Sequence, residues 1–194
     1  MIEHVRKVFM GLDIAGFNRA GRSDLCGLGM RQTLYRALEG ALLDIAVQRD
    51  EYELLDRGDG IMAVLDPLVD LDTLAYLVLP ALAAGLRNHN ATADAQDIIR
   101  VRAALHKGDV IRDDRGYVGK ELSHAFRLLD SPQLRTALEQ SGTELALAVS
   151  AVAWRQMRHA GSGGPHFEPA LVTTKERAVR AWLADVAPSA SLVR

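Results

Sequence analysis

Cysteine is nearly absent: Cys26 is the only one in 194 residues. A lone thiol makes no intramolecular disulfide and no cysteine-rich zinc site, so the fold has to be held by an ordinary core. Long apolar runs are missing too. The longest, 74–86, is interrupted by Pro80 and falls short of the roughly 20 residues that a membrane helix needs. The opening MIEHVRKVF has no apolar signal core. Nor does one sign of charge dominate. Lys and Arg number 23 against 25 Asp and Glu, a formal net charge of −2, which argues against nucleic acid or an anionic membrane as partner. Neither a nucleophile elbow nor a Walker-type glycine loop occurs, which excludes the common hydrolase and P-loop solutions. What remains is 48% hydrophobic and 25% charged residues, the balance of a globular domain. The expectation is a reduced, cytoplasmic protein with no nucleic-acid and no membrane partner.

The pattern along the chain alternates between strand and helix signals. Residues 5–13 (VRKVFMGLD) read as a strand that ends in the turn-rich AGFNRAGRSD. Ser23 or Asp24 is placed to cap a helix. Its apolar face carries Leu34, Tyr35, Leu38, Ala41, Leu42 and Ile45. EYELL and IMAVL flank DRGDG, the signature of a β-hairpin. Residues 72–90 read as helical, with Pro80 forcing a kink or a fresh start. Strands follow at 98–105 and, around the turn DDRG, within 110–118. Helices are expected at 120–129 and just after Pro132, then a strand at 145–149, a helix at 151–159, the loop GSGGP, and two last strands near Leu171 and Val179. The first two-thirds thus run β-α-β-β-α-β. That order implies an α+β fold of the ferredoxin-like split β-α-β type, with helices on one face of the sheet. One domain over 1–186 and a loose tail over 187–194 complete the expected organisation.

Two carboxylates stand out by position. Asp13 closes the first strand and Asp59 sits in the hairpin turn. The first and third strands of a split sheet are central neighbours, so these two side chains can meet at one edge. Aspartate in an Asp-Gly pair is usually a turn residue and nothing more. Paired carboxylate oxygens are nonetheless hard ligands suited to Mg²⁺ or Mn²⁺ beside substrate phosphates.

The surroundings of the pair add to this. GLDIAGFNR, then RGDGIMAVL, then LHKGDV (105–110), then GKELSHAFRLLD (119–130) resemble, in order, four motifs of the class III adenylyl/guanylyl cyclase family. The resemblance covers about residues 5–130. It implies that Asp13 and Asp59, with the Ile14 carbonyl, hold Mg²⁺ or Mn²⁺, two per site. Backbone from Gly16 through Phe17 to Asn18 would face the phosphates of a nucleoside triphosphate. Arg127 would stabilise charge on the transferred phosphoryl group. It implies a homodimer with shared active sites, the aspartates from one subunit and the arginine from the other. The implied reaction converts the triphosphate to a 3′,5′-cyclic nucleotide and pyrophosphate by a two-metal mechanism. The alternative is a catalytically impaired cyclase-homology domain that binds nucleotide or dimerises as a signalling module.

Departures from the family pattern fall at particular positions. Ser123 stands where the family has a ribose-orienting asparagine four residues before the arginine. Leu55, and within a residue Gly116, stand where purine cyclases read the base with hydrogen-bonding side chains. Bacterial cyclases that make cyclic pyrimidine nucleotides in antiviral defence also depart from the purine-reading pair, which brings in UTP or CTP as substrate. Arg57 beside the hairpin and Lys175 near the C-terminus are further candidates for contact with the nucleotide, each against the reading of a solvated surface charge. His106 is expected to pack or hydrogen-bond near the site; Trp154 and Trp182 are expected as core anchors.

Overall fold

The computed structural model describes residues 2–45, 47–158, 164–174 and 178–188. Its centre is β1 (Glu3–Ile14), flanked by β3 (Gly60–Leu65) and β4 (Val101–Asp113), both antiparallel to it. β2 (Tyr52–Asp56) pairs with β3 as a hairpin, and the short β5 (Gly116–Val118) folds back on the end of β4. β6 (Leu145–Ser150) joins β4 in parallel, followed by β8 (Ala178–Val186) and the edge strand β7 (Glu168–Thr173). The order β2-β3-β1-β4-β6-β8-β7 contains the expected split β-α-β-β-α-β unit, extended on one side.

Helix α1 (Asp24–Asp44) starts where Ser23 accepts a hydrogen bond from the Cys26 amide. It buries Leu34, Leu38, Ala41 and Leu42. Four of the six face residues read from the periodicity are therefore fully inside; Tyr35 and Ile45 pack at the margin. The stretch expected to break at Pro80 is a short α2 (Leu71–Thr73), a π-helical segment (Leu74–Val78) and α3 (Leu79–Asn90). Pro80 lies in the first turn of α3. It has no N–H to offer the preceding turn, and the bonding register slips before it, the Leu79 amide reaching back to the Leu74 carbonyl.

Three sequence expectations need correction. Helices cover both faces of the sheet. In β1, Val8, Met10, Leu12 and Ile14 point into the core shared with α1 and α3. Phe9 and Gly11 lie on the opposite face under α4 (Lys120–Leu129), where Leu129 reaches to 3.0 Å of where a Gly11 Cβ would stand, and α5 (Pro132–Gln140) covers β4, β6, β7 and β8 on that side. Burying side chains of this size stabilises by about 1.5–3 kcal/mol each, so both layers contribute. The strand expected from residue 98 begins at Val101, because Ile98 and Ile99 belong to a connection tied down by Asn90, whose side chain bonds both backbone groups of Ile99. Of the helix expected over 151–159, the residues described up to 158 form only α6 (Ala151–Trp154), capped by Ser150, and 159 lies outside the described residues. None of the described helices is long and apolar enough to cross a membrane.

Candidate functional site

Asp13 is the penultimate residue of β1, directly opposite Gly60 on β3 and Arg102 on β4. The hairpin turn is fixed locally. The Asp56 carboxylate accepts the Gly58 amide at 2.7 Å, and Gly58 takes φ +81°, a conformation that suits glycine. Gly60 then passes so close to β1 that a Cβ there would collide with the Leu12 carbonyl oxygen. This close approach lets the Ile14 amide donate to the Asp59 carbonyl at 2.9 Å. The two aspartates anticipated from sequence are thereby brought to one end of the central strands.

Beyond Ile14 the chain turns sharply. Gly16 has φ +64°, Phe17 donates to the Ile14 carbonyl at 3.3 Å, and Arg19 donates to the Gly16 carbonyl at 3.0 Å. Arg22 binds this loop to the one before β4, its guanidinium donating to the carbonyls of Gly16, Gln96 and Ile98. The amides of Gly16 and Asn18 take no partner among the described residues. They remain available to an anion at the approach to α1.

Asp13, Ile14, Gly16, Phe17, Asn18 and Asp59 all line one cavity of about 550 Å³, with Arg19, Arg100, Arg102 and Arg135 also on its wall. Sequence reasoning missed these arginines. The available signal was a pair of arginines alternating within an otherwise apolar strand, IIRVRAAL. Arg102 is 9% exposed; its Nε donates to Asp13 Oδ2 at 3.0 Å, and Nη2 bonds the same oxygen. Its Nη1 is buried without a partner among the described residues. Arg100 has another role: it donates to the carbonyls of Leu138, Ser141 and Thr143, bracing the α5–β6 connection. Burial pushes the Asp13 carboxyl above its usual range. The Arg102 guanidinium opposes that rise, while Asp59 and Asp130 add to it.

The donors suit a hard divalent cation. Asp13 Oδ1 and the Asp59 carboxylate accept no hydrogen bond from the described residues, and the Ile14 carbonyl lies between them in sequence. No group of three or more His, Cys, Asp or Glu gathers around a common point among the described residues. Oxygens from the ligand's phosphates would have to complete any coordination sphere, as is usual for Mg²⁺.

Other sequence candidates stand elsewhere. Ser123 and Arg127 sit four residues apart on α4, and neither lines this cavity of the single chain. The exposed Ser123 hydroxyl donates to the Gly119 carbonyl at 3.1 Å. Leu55 packs against the cluster of Phe9, Met62, Val64, Val110 and Ala125. Arg57 lies over the Phe126 ring at 4.5 Å, an interaction that ties the hairpin to α4. Trp154 and Trp182 stack on each other with centroids 4.8 Å apart, as anchors rather than open platforms. Lys175 falls outside the described residues.

No family model and no curated protein matches the sequence. Solved structures do match the fold. The guanylyl cyclase Cya2 superposes with a TM-score of 0.67 at 13% identity, over 99% of this chain and 96% of that one. The adenylate/guanylate cyclase/hydrolase from Silicibacter pomeroyi gives 0.66 at 20% identity, covering 97% of this chain and all of the other. The adenylyl cyclase CyaB from P. aeruginosa gives 0.66 at 14% identity with both chains fully covered. Such identities carry the architecture and not the chemistry. By its strand order and this near-complete coverage, the chain has the fold of class III adenylyl/guanylyl cyclase catalytic domains.

Proposed function

We propose that the protein is a nucleotidyl cyclase, converting a nucleoside triphosphate to a 3′,5′-cyclic nucleotide and pyrophosphate at two sites shared across a homodimer. The observation that carries this reading is the convergence of Asp13 and Asp59 in one cavity, beside loop amides that have no partner among the described residues. Arg102 engages one Asp13 oxygen and leaves the other without a donor among the described residues. Asp13 Oδ1, Asp59 and the Ile14 carbonyl would hold Mg²⁺ or Mn²⁺. When bound, two such ions per site supply the charge that acidifies the ribose 3′-hydroxyl and balances the polyphosphate. The amides of Gly16 and Asn18 orient the phosphates, and the loop around Phe17 shapes the cavity mouth. Attacking and leaving groups belong to one substrate molecule, so positioning and charge neutralisation suffice and no protein nucleophile is required.

Arg127 is absent from the cavity of the single chain, which supports a site completed by α4 of a second copy. There the guanidinium stabilises charge building on the phosphoryl group, and Ser123 stands beside the ribose. Leu55, packed among apolar neighbours, reads no base edge by hydrogen bonding; UTP and CTP therefore stand beside ATP and GTP as substrates. Lys175 is assigned to the triphosphate and Arg57 to the vicinity of the base. The second reading, a nucleotide-binding or dimerisation module, draws on Ser123, whose hydroxyl proton is spent on its own helix.

The test incubates the purified protein with all four triphosphates and Mn²⁺ and separates the products by chromatography. A cyclic nucleotide that vanishes with Asp59→Ala is expected. Metal-dependent nucleotide binding without any product selects the second reading.

A further inference from the structure

Four residues along β4 from Arg102 and on the same face, the side chain of His106 is fully buried and hydrogen-bonded at both ring nitrogens. Its Nδ1 lies 2.8 Å from Ser150 Oγ on β6, and its Nε2 lies 2.7 Å from Glu121 Oε2 on α4. Both His106 and Ser150 have no solvent exposure. The Ser150 oxygen already accepts the Ala153 amide at 3.1 Å as the cap of α6. Its hydroxyl proton is therefore free to go to Nδ1, which leaves Nε2–H to donate to the Glu121 carboxylate. Every polar atom in the chain of bonds is satisfied with a neutral imidazole, an assignment that follows from the network. Gly108, two residues along the same face of β4, leaves the room: a Cβ there would stand 2.5 Å from both Cβ and Cγ of Glu121. His124, one turn beyond Glu121, sets its ring edge-on to His106 with centroids 4.8 Å apart. The first turn of α4 thus grips one histidine from two sides.

We propose that His106 is a positioning residue: the Ser150–His106–Glu121 relay fixes α4 against the sheet and so sets where Ser123 and Arg127 present themselves. The link to turnover rests on the cyclase reading above; the mechanical claim does not. Ser123 and Arg127 share α4 with Glu121, so a shift of its first turn moves both. A displacement of reacting groups by about 1 Å can lower turnover by about 100-fold. The titratable groups facing His106, Glu121 and His124, both come from α4; β1 offers the Phe9 ring and β6 the Ser150 hydroxyl. Burial lowers the imidazole's pKa, the Glu121 bond opposes this, and His124 reinforces it. Protonation would put an N–H against the Ser150 hydroxyl and force that group to turn.

Three variants test the relay on the full chain: Glu121→Ala, which removes the acceptor; Glu121→Gln, which keeps an amide oxygen for Nε2–H; and Gly108→Ala, whose methyl crowds the Glu121 side chain out to Oε2 and displaces it without deleting a polar group. Two readouts are taken, kcat and KM between pH 5.5 and 9, and amide exchange across 119–129. With Glu121→Ala and Gly108→Ala, kcat should fall about 10- to 100-fold with KM within about threefold. The α4 amides should exchange at least about tenfold faster. Glu121→Gln should restore kcat to within about threefold of wild type near pH 8 and displace the acidic limb of its pH profile. Unchanged α4 exchange in both Glu121→Ala and Gly108→Ala overturns the inference. So does faster exchange with kcat intact, or a Glu121→Gln variant as impaired as Glu121→Ala. Exchange is read whether or not product forms. A wild type without product therefore sinks the cyclase reading alone, and exchange then decides the relay by itself.

Discussion

Removing the carboxylate of Asp13 and removing that of Asp59 are equal changes on paper and unequal in the fold. Among the described residues Asp13 is the sole charged partner of Arg102, whose side chain is only 11% exposed and whose Nη1 finds no acceptor among them. Asp13→Ala leaves a buried guanidinium with no counter-charge. Breaking a buried pair in this way costs about 3–5 kcal/mol, a large share of the roughly 5–15 kcal/mol that keeps a domain folded. The Asp59 carboxylate accepts no hydrogen bond from the described residues, and its charge disfavours the ionised form of Asp13. Asp59→Ala should therefore stay within about 0.5 kcal/mol of wild type. Urea unfolding in EDTA, followed by circular dichroism, separates the two. The midpoint for Asp13→Ala should drop by roughly 1–3 M, and that for Asp59→Ala should hardly move. Adding Arg102→Met to Asp13→Ala should recover most of the loss, since the apolar side chain needs no partner. Equal destabilisation by both alanines, or a double variant no more stable than Asp13→Ala, would refute the assignment of Arg102 as the buried counter-ion.

Three further outcomes are expected. Gly60→Ala drives a methyl into the β1 backbone; it should cost about 1–3 kcal/mol and weaken Mn²⁺ binding measured by calorimetry, and binding at wild-type strength would contradict the role of this close approach. In metal-free protein, a carbon-13 titration of Asp13 should show a midpoint above the ordinary aspartate value of about 3.9, because burial, then Asp59, disfavour the anion. The sign follows: this group favours the folded state at low pH, and the contribution is lost as pH rises through the raised pKa. Asp59→Asn should lower that midpoint; a midpoint at or below the ordinary value contradicts the electrostatics. Mixing inactive Asp59→Ala with inactive Arg127→Ala should restore up to one intact site per heterodimer, and activity that stays at background would show that sites are not shared.

Much of this arrangement is legible in the letters of the chain. A strand ending in LDIAGF and a hairpin closing on RGDG put both carboxylates at one edge once the split topology is granted. Ser23 as helix cap and the break at Pro80 follow from local chemistry. The helical cover on both faces was missed, although VFMGL, a continuous apolar run rather than an alternating one, is the mark of a strand enclosed on two sides. Arg102 was missed for a different reason. A charged residue inside a buried strand announces that a partner exists, and only the cross-strand register identifies it as Asp13. The same holds for His106: Glu121 lies 15 positions away and Ser150 lies 44 away, on separate elements. Only the fold joins them.

The central claim is tested most directly by Mn²⁺. Crystals grown with Mn²⁺ and a triphosphate whose α-β bridge cannot be cleaved should give anomalous density between the carboxylates of Asp13 and Asp59, next to the Ile14 carbonyl, with Arg127 of the second copy facing it. Density from the nucleotide without any anomalous peak there, or with Arg102 closing on Asp13 Oδ1 as well as on Oδ2, would contradict the account.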